Sequence, residues 1–482
     1  MKQTKQSDKI VILISLLTIA LVGYSRLTRE SAEENLIIIS TSDIHSKLDM
    51  LPRLATLLDE AHAQDTARVF VVDAGDRWTG NPYVDMSSHA GRPIIEQMNR
   101  LGYDVATFGN HEFDMGLDTL QKRMSEAEFD LVLANIDTKE SALAQPKPYT
   151  IKRAGGVKVG FLGIITNYAN GHPDGKDVIF KDMEFFSPEW TAERYGKELR
   201  EKCDVMVVIS HCGLDRDTTN LATALPYADL IISGHTHEPY AAESKGVPVV
   251  QGNNKLREVG LTTIKLRGGE IVALNTKHIT LPEQGKESVA EEIVGYMHDP
   301  YLNESVGTLT CEATKMGLAQ MMADVGREVA GADLGFYHIG GTRIASLAEG
   351  GVRRADIYEL EPFNSDLVIT TMTLAEIEQM ILNKFNDTTN YKESHRVDLI
   401  PSGLTYTIIT DKKGDGTAIR FRPEQKKELY KVAISNYVYE NKTYAYTRRP
   451  EEGRTPLVTT YLFDKLAEAP YTPDNTPRGV IK

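Results

Sequence analysis

The residues of this chain that could do chemistry fall in five short motifs: Asp43-Ile44-His45, Gly75-Asp76, Gly109-Asn110-His111-Glu112-Phe113-Asp114, Ser210-His211 and Gly234-His235-Thr236-His237. From these, Asp43, His45, Asp76, Asn110, His211, His235 and His237 offer imidazole nitrogens and carboxylate or amide oxygens without a thiolate. That mixture suits zinc or manganese foremost, then iron or cobalt, and disfavours magnesium and calcium, which prefer all-oxygen shells. Seven ligands are too many for one tetrahedral ion. They suffice for two divalent ions sharing one carboxylate at the roughly 3.5 to 4 Å separation of two-metal hydrolases. The ions supply +4 and the two aspartates remove two, leaving about +2, which draws a phosphate dianion even to an acidic protein. Such a pair lowers the pKa of a shared water from about 15.7 toward neutrality and stabilises phosphoryl oxygens during in-line attack. His111, its tautomer fixed by Asp114, is then available to protonate the leaving oxygen or to hold charge in the transition state. Glu112 and Asp73 read as supporting carboxylates, and Cys212 as a small buried residue after a strand. His62, His89, His172, His278, His298 and His395 stand in no motif.

The elements that must position these groups are short apolar runs at 35–42, 68–76, 104–110, 204–211 and 229–237, each with its candidate ligands at or just after its carboxyl end. Runs of four to six apolar residues bounded by polar residues or glycine read as buried strands. Further runs lie at 130–135, 157–165, 247–251 and 258–266, with helical patterns at Pro93 to Leu101 and Trp190 to Lys202. Strands alternating with helices predict an α/β layered fold, and in such sheets ligands gather beyond the carboxyl ends of the strands. The first domain is expected over 35–282, a linker helix over 283–304 and a second α/β domain over 305–482, with a helix at 373–386 and strands at 404–410 and 430–435. The last dozen residues, rich in proline and threonine, are expected to form a loosely ordered tail.

With 482 residues and a formal net charge of −14, the chain is long enough for two cores and has no basic surface for a nucleic-acid polymer. Lysines in residues 2–9 followed by the apolar stretch 10–24 predict an export signal over 1–25, hence a periplasmic or extracytoplasmic location. An uncleaved membrane anchor is the alternative, and membrane contact is expected only in that case. Cys203, Cys212 and Cys311 are an odd number without zinc-ribbon spacing, so at least one is a free thiol. No protein partner is implied.

The motif series, with Gly80-Asn81-Pro82, resembles the calcineurin-like metallophosphoesterases of the 5'-nucleotidase family, in the two-domain exported type found in bacteria. The resemblance implies an N-terminal layered β-sandwich/α metallophosphoesterase domain and a C-terminal α/β substrate-recognition domain. It implies that Asp43, His45, Asp76 and His237 hold one ion and Asp76, Asn110, His211 and His235 the other, with His111 and Asp114 as the catalytic dyad. In the second domain, Gly340-Gly341-Thr342-Arg343 is similar to the family segment whose arginine contacts the substrate phosphate. Phe363 and Tyr437 match the aromatic residues that sandwich a nucleobase. Departures cluster in this half: His338 stands where an asparagine is usual, Glu312-Ala313-Thr314 replaces an arginine pair with only Lys315 nearby, and Glu440 to Thr443 replaces a segment carrying a ribose-binding aspartate. The implied activity is hydrolysis of a small phosphate ester, a nucleotide first. The alternatives are a non-nucleotide phosphoester and, in another class, a catalytically silent ligand-binding protein.

Overall fold

The computed structural model describes residues 33–64, 67–86, 89–168, 170–388 and 394–482, so the expected export signal lies outside the described residues. Among the described residues, no helix is long and apolar enough to cross a membrane. The chain divides into two compact units, residues 1–78 with 91–293, and residues 79–90 with 294–482. The division falls within the helix Glu287–Tyr296.

The first unit is built on two six-stranded sheets. Its strands are β1 (Glu33–Thr41), β2 (Ala67–Asp73), β3 (Val105–Ala106), β4 (Asp130–Leu131), β5 (Tyr149–Ala154), β6 (Val157–Ile165), β7 (Val205–His211), β8 (Leu230–Ile232), β9 (Tyr240–Ser244), β10 (Val247–Gln251), β11 (Glu258–Arg267) and β12 (Glu270–Thr280). One sheet runs β12-β11-β1-β2-β3-β4 and the other β9-β10-β8-β7-β6-β5. They pack face to face because strand side chains alternate. Val205, Val207 and Ile209 of β7 meet Leu36, Ile38, Phe70 and Val72 of the opposite sheet. Met206 and Val208 point the other way, against Ala192 and Leu199 of the helix Pro188–Arg200. Each such fully buried side chain contributes about 1.5–3 kcal/mol. That helix starts where Ser187 accepts the Trp190 amide hydrogen, with Pro188 in the first turn.

Parallel pairing puts the carboxyl ends of the strands side by side. Thr41 pairs with Asp73 and Asp73 with Ala106 in the first sheet, and Ile209 pairs with Ile232 in the second. The chain therefore leaves β1, β2, β3, β7 and β8 at one edge of the sandwich, where the five motifs begin.

In the second unit the main sheet orders β15-β13-β18-β14-β19, from β13 (Leu334–His338), β14 (Leu367–Met372), β15 (Leu399–Ser402), β18 (Tyr430–Ser435) and β19 (Gly453–Arg454). A smaller sheet orders β17-β16-β20, from β16 (Leu404–Thr410), β17 (Gly416–Pro423) and β20 (Gly479–Ile481). Helices Lys315–Ala330 and Leu374–Asn386 supply its two apolar cores. The expectation of a loose tail over the last dozen residues is corrected by β20. Gly479 to Ile481 pair in parallel with Tyr406 to Ile408, Arg478 donates to Asp324 at 2.9 Å, and Asn475 accepts the Thr314 amide hydrogen at 2.9 Å. Ladder bonds and a charged pair outweigh a turn-rich composition.

Candidate active site

The edge loops bring the first-unit residues into one cluster. Asp43, His45, Asp76 and His237 present ligand atoms within 4.8 Å of one another, and so do Asp76, His211 and His235. Asp76 belongs to both groups. His45 Nε2 and His237 Nε2 are 3.1 Å apart, His237 Nε2 is 3.3 Å from Asp43 Oδ1, and His211 Nε2 is 3.1 Å from Asp76 Oδ2. Asn110 completes the second group, its Oδ1 lying 3.0 Å from His235 Nδ1. Asp43 also accepts the His235 amide hydrogen on both oxygens, at 3.0 and 3.2 Å, which ties the β1 loop to the β8 loop.

The backbone is bent to achieve this. Asp43, His45, Asp76, His235 and His237 all have left-handed φ, between 47° and 83°. Each such residue without glycine's freedom stores of order 1–3 kcal/mol. Gly109 is required by contact as well: a Cβ there would lie 2.1 Å from Asp76 Oδ1.

Buried partners orient the ligands. His211 Nδ1–H donates to the Ala74 carbonyl at 2.6 Å, which turns Nε2 toward Asp76. The Asn254 side chain lies 3.1 Å from His237 Nδ1. Glu112, fully buried, accepts amide hydrogens from Asp76 at 2.9 Å, Arg77 at 2.8 Å and Gly109. Asp73 accepts from Thr41 at 2.8 Å, Gly75 at 3.1 Å and Arg77 Nη1 at 3.1 Å. Burial raises Asp73 to about 7 against the pull of Arg77. Asp217, likewise raised to about 7 by burial, accepts from Ser210 at 2.7 Å and Ser233 at 2.5 Å, so one carboxylate braces the strand ends before His211 and His235.

The donor set fits divalent cations. Burial disfavours charge on His211, yet Asp76 beside it raises the imidazole to about 10, so the site draws positive charge to that spot. His211 Nε2 is nevertheless buried without an aligned hydrogen-bond partner. Burial and the neighbouring His211 hold His235 down to about 3, the neutral form a ligand needs. Asp43 and Asp76, despite burial, are held below the usual carboxylate range by the histidines around them.

His111 stands beside the cluster. Its backbone N–H donates to Asp76 Oδ1 at 2.9 Å, its Nδ1–H donates to Asp114 Oδ2 at 2.6 Å, and its ring meets His45 edge-on at 5.2 Å. Trp78 Nε1–H donates to the His111 carbonyl at 2.8 Å. Cys212 is buried and free, outside both ligand groups.

In the second unit, the Arg343 guanidinium lies over the Phe363 ring at 5.5 Å, while Tyr437 stacks on His338 at 4.6 Å with an interplanar angle of 18°. Sequence reasoning missed Asn254, Asp217 and Tyr168, whose hydroxyl is 3.5 Å from His235 Nε2. Asn254 had a signal, since it follows the apolar run 247–251 as the ligands follow theirs. Asp217 had none, because its role depends on two serines brought together by strand pairing.

Comparison with known proteins agrees with this geometry. The model of the calcineurin-like phosphoesterases matches residues 36–239, and that of the 5'-nucleotidase C-terminal domain matches residues 293–447. The chain is 26% identical over 451 residues to Protein UshA of Yersinia enterocolitica, covering 79% of this chain and 80% of that protein. It is 26% identical over 473 residues to the trifunctional nucleotide phosphoesterase protein YfkN of Bacillus subtilis, covering 84% of this chain and 32% of that longer protein. A solved 5'-nucleotidase precursor from Thermus thermophilus shares the fold, with a TM-score of 0.78 at 22% identity over 93% of this chain and 99% of that one.

Proposed function

Since the chain belongs to the calcineurin-like phosphoesterases that carry a 5'-nucleotidase C-terminal domain, and is thus a metal-dependent phosphoric ester hydrolase, we propose that it hydrolyses a small phosphate ester, a nucleotide first, outside the cytoplasm. The observation that carries this reading is the sharing of Asp76 between two ligand groups, with His111 hydrogen-bonded to the same carboxylate. Asp43, His45, Asp76 and His237 would hold one divalent ion, and Asp76, Asn110, His211 and His235 a second, zinc or manganese foremost. When bound, such ions supply Lewis-acid charge to phosphoryl oxygens and acidify water for in-line attack.

The chain's own residues do the rest. Asp114 holds the proton on His111 Nδ1, so the imidazolium presents its other proton, on Nε2, to the leaving oxygen. Glu112 and Asp73 fix the loops carrying Asp76 and His111, so the donors are placed before substrate arrives. Arg343, Phe363 and Tyr437 are the proposed substrate contacts of the second unit.

Turnover of a chromogenic phosphate ester by the chain loaded with zinc or manganese tests the reading. A panel of nucleotides, cyclic nucleotides and sugar nucleotides then identifies the leaving group. Absence of hydrolysis with either metal would overturn it. A non-nucleotide phosphoester is the second reading, favoured by the His338 ring that covers one face of Tyr437. The lysines of residues 2–9 and the apolar stretch 10–24 support export. Fractionation of expressing cells checks it, and a purely cytoplasmic product would refute it.

A further inference from the structure

The turn between β10 and β11 carries Asn254 to the second nitrogen of a candidate ligand. Its backbone is held on both sides: Asn253 N–H donates to the Glu258 carbonyl at 2.9 Å, and Lys255 N–H donates to the Asp43 carbonyl at 2.8 Å. Lys255 and Leu256 both take left-handed φ, 56° each, and the Leu256 side chain is buried. Backbone of this kind persists only where its surroundings fix it, and it gathers at working sites. The turn sets the Asn254 amide nitrogen 3.1 Å from His237 Nδ1. On the other side, Arg257 Nη1 donates to Asn254 Oδ1 at 3.2 Å.

These contacts fix which way round the amide stands. A guanidinium has only donors, so the Arg257 contact belongs to the amide oxygen and the NH2 is left to face His237. An NH2 cannot accept, so Nδ1 is the acceptor and the ring proton sits on Nε2, 3.3 Å from Asp43 Oδ1. That arrangement suits a ring hydrogen-bonded to Asp43 and is the reverse of what a ligand needs. Nε2 is the nitrogen that faces Asp43 and, at 3.1 Å, His45 Nε2, the side on which the ligand group converges. A histidine that ligates through Nε2 carries its proton on Nδ1 and donates it to an oxygen.

We infer that Asn254 is a positioning residue for the ion held through His237, and that its amide turns over when His237 ligates: Oδ1 then accepts Nδ1–H, and the Arg257 bond is given up. The inference rests on the reading of this site as a divalent-metal centre and adds to it a competitor, Arg257, that opposes the ligating form of His237. Turning over is favoured because Arg257 is exposed and water replaces its bond, whereas an Nδ1–H left against an NH2 meets only a second donor.

Competition for zinc between the full-length chain and a chromogenic chelator tests this in a double-mutant cycle. Arg257→Met frees the amide and should tighten zinc binding several-fold in the wild-type background. Asn254→Leu removes the acceptor and should weaken zinc binding by about 10- to 100-fold. In the Asn254→Leu background Arg257→Met should then change nothing, because no amide is left to release. Loss of a positive charge alone would tighten binding equally in both backgrounds, and that result would overturn the assignment. Unchanged zinc affinity in Asn254→Leu would do the same. Asn254→Asp presents an oxygen to both neighbours, so it should bind zinc at least as tightly as the wild type, with no gain from Arg257→Met. It is the second background should Asn254→Leu unfold. A wild-type chain that takes up no zinc would overturn the metal reading itself, whereas zinc bound with an additive cycle would overturn only the role of Asn254.

Discussion

Glu112 is the residue whose removal tests most directly whether the first unit's site is pre-built. Its Oε2 accepts the amide hydrogens of Asp76 and Gly109, and its Oε1 accepts that of Arg77 and lies 3.6 Å from Arg77 Nε. Glu112→Gln keeps the shape but converts one oxygen into an NH2. If the amide oxygen keeps the Asp76 and Gly109 bonds, the NH2 opposes the Arg77 amide and leaves a buried donor unsatisfied, at about 1–3 kcal/mol. Arg77, almost wholly buried, also loses one of its two carboxylate neighbours, and breaking a buried charge pair costs about 3–5 kcal/mol. The two effects share a partner and do not add, so the expected loss is about 3–5 kcal/mol. Both tryptophans, Trp78 and Trp190, lie in the first unit, and Trp78 is bonded to the His111 carbonyl. Urea unfolding followed by tryptophan fluorescence therefore reports this unit alone. Metal content after reconstitution should fall with it, since the Arg77 amide next to Asp76 loses the acceptor that fixes this loop. A loss below about 1 kcal/mol with full metal content would refute the reasoning, because it would mean the loops hold without the carboxylate.

Three further outcomes are expected. His111→Ala should lower kcat by about 10²- to 10⁴-fold while metal content stays at the wild-type level; loss of metal in that variant would make His111 a ligand rather than a proton donor. Stripping the ions with a chelator should abolish turnover and lower the fluorescence-detected melting temperature, and an ion present at 100 times its Kd should restore about 2.7 kcal/mol; an unchanged melting temperature would contradict a bound-ion role for the buried aspartates. Burial alone would push Glu189 up, but Arg216, bonded to it at 2.6 and 2.9 Å, holds it at about 2. Because that lies below the unfolded value of about 4.3, the pair adds stability above this pH that is lost as pH falls toward 2. Discounted for its partial exposure, it contributes about 1–2 kcal/mol. Urea midpoints of Glu189→Gln should approach those of the wild type as pH falls from 5 toward 2, and a gap independent of pH would refute the pairing.

How much of this could be read from the chain in one dimension depends on whether a feature is local. Each candidate ligand sits at or within a few residues of the end of a buried strand, so strand grammar alone placed Asp43, Asp76, Asn110, His211 and His235 at a common edge, and parallel pairing then made the edge real. His111 and Asp114 were legible for the same reason, since their 2.6 Å contact spans three residues of a helical turn. Residues 79–90 were not. They follow Trp78 of the first unit directly, yet Tyr83 and Met86 pack on Leu302, Ala355 and Tyr358 of the second, a partnership more than two hundred positions away in sequence. The tail failed for a related reason, because its composition signals turns while its order comes from Asp324, Thr314 and the β16 edge.

His338 shows the harder case. As a letter it was only a departure from an expected asparagine, and nothing near it in sequence explains what the change does. Its ring stacks on Tyr437, which follows β18 almost a hundred positions later, a neighbour that only folding supplies. A catalytic centre built from strand ends repeats one short pattern and so can be read from short stretches. A recognition site is defined by which charges confront one another across separate elements, and that information exists only once the core has set their places. The catalytic half of this protein is therefore legible from sequence in detail, whereas the ligand preference of the other half has to be argued from assembled neighbours.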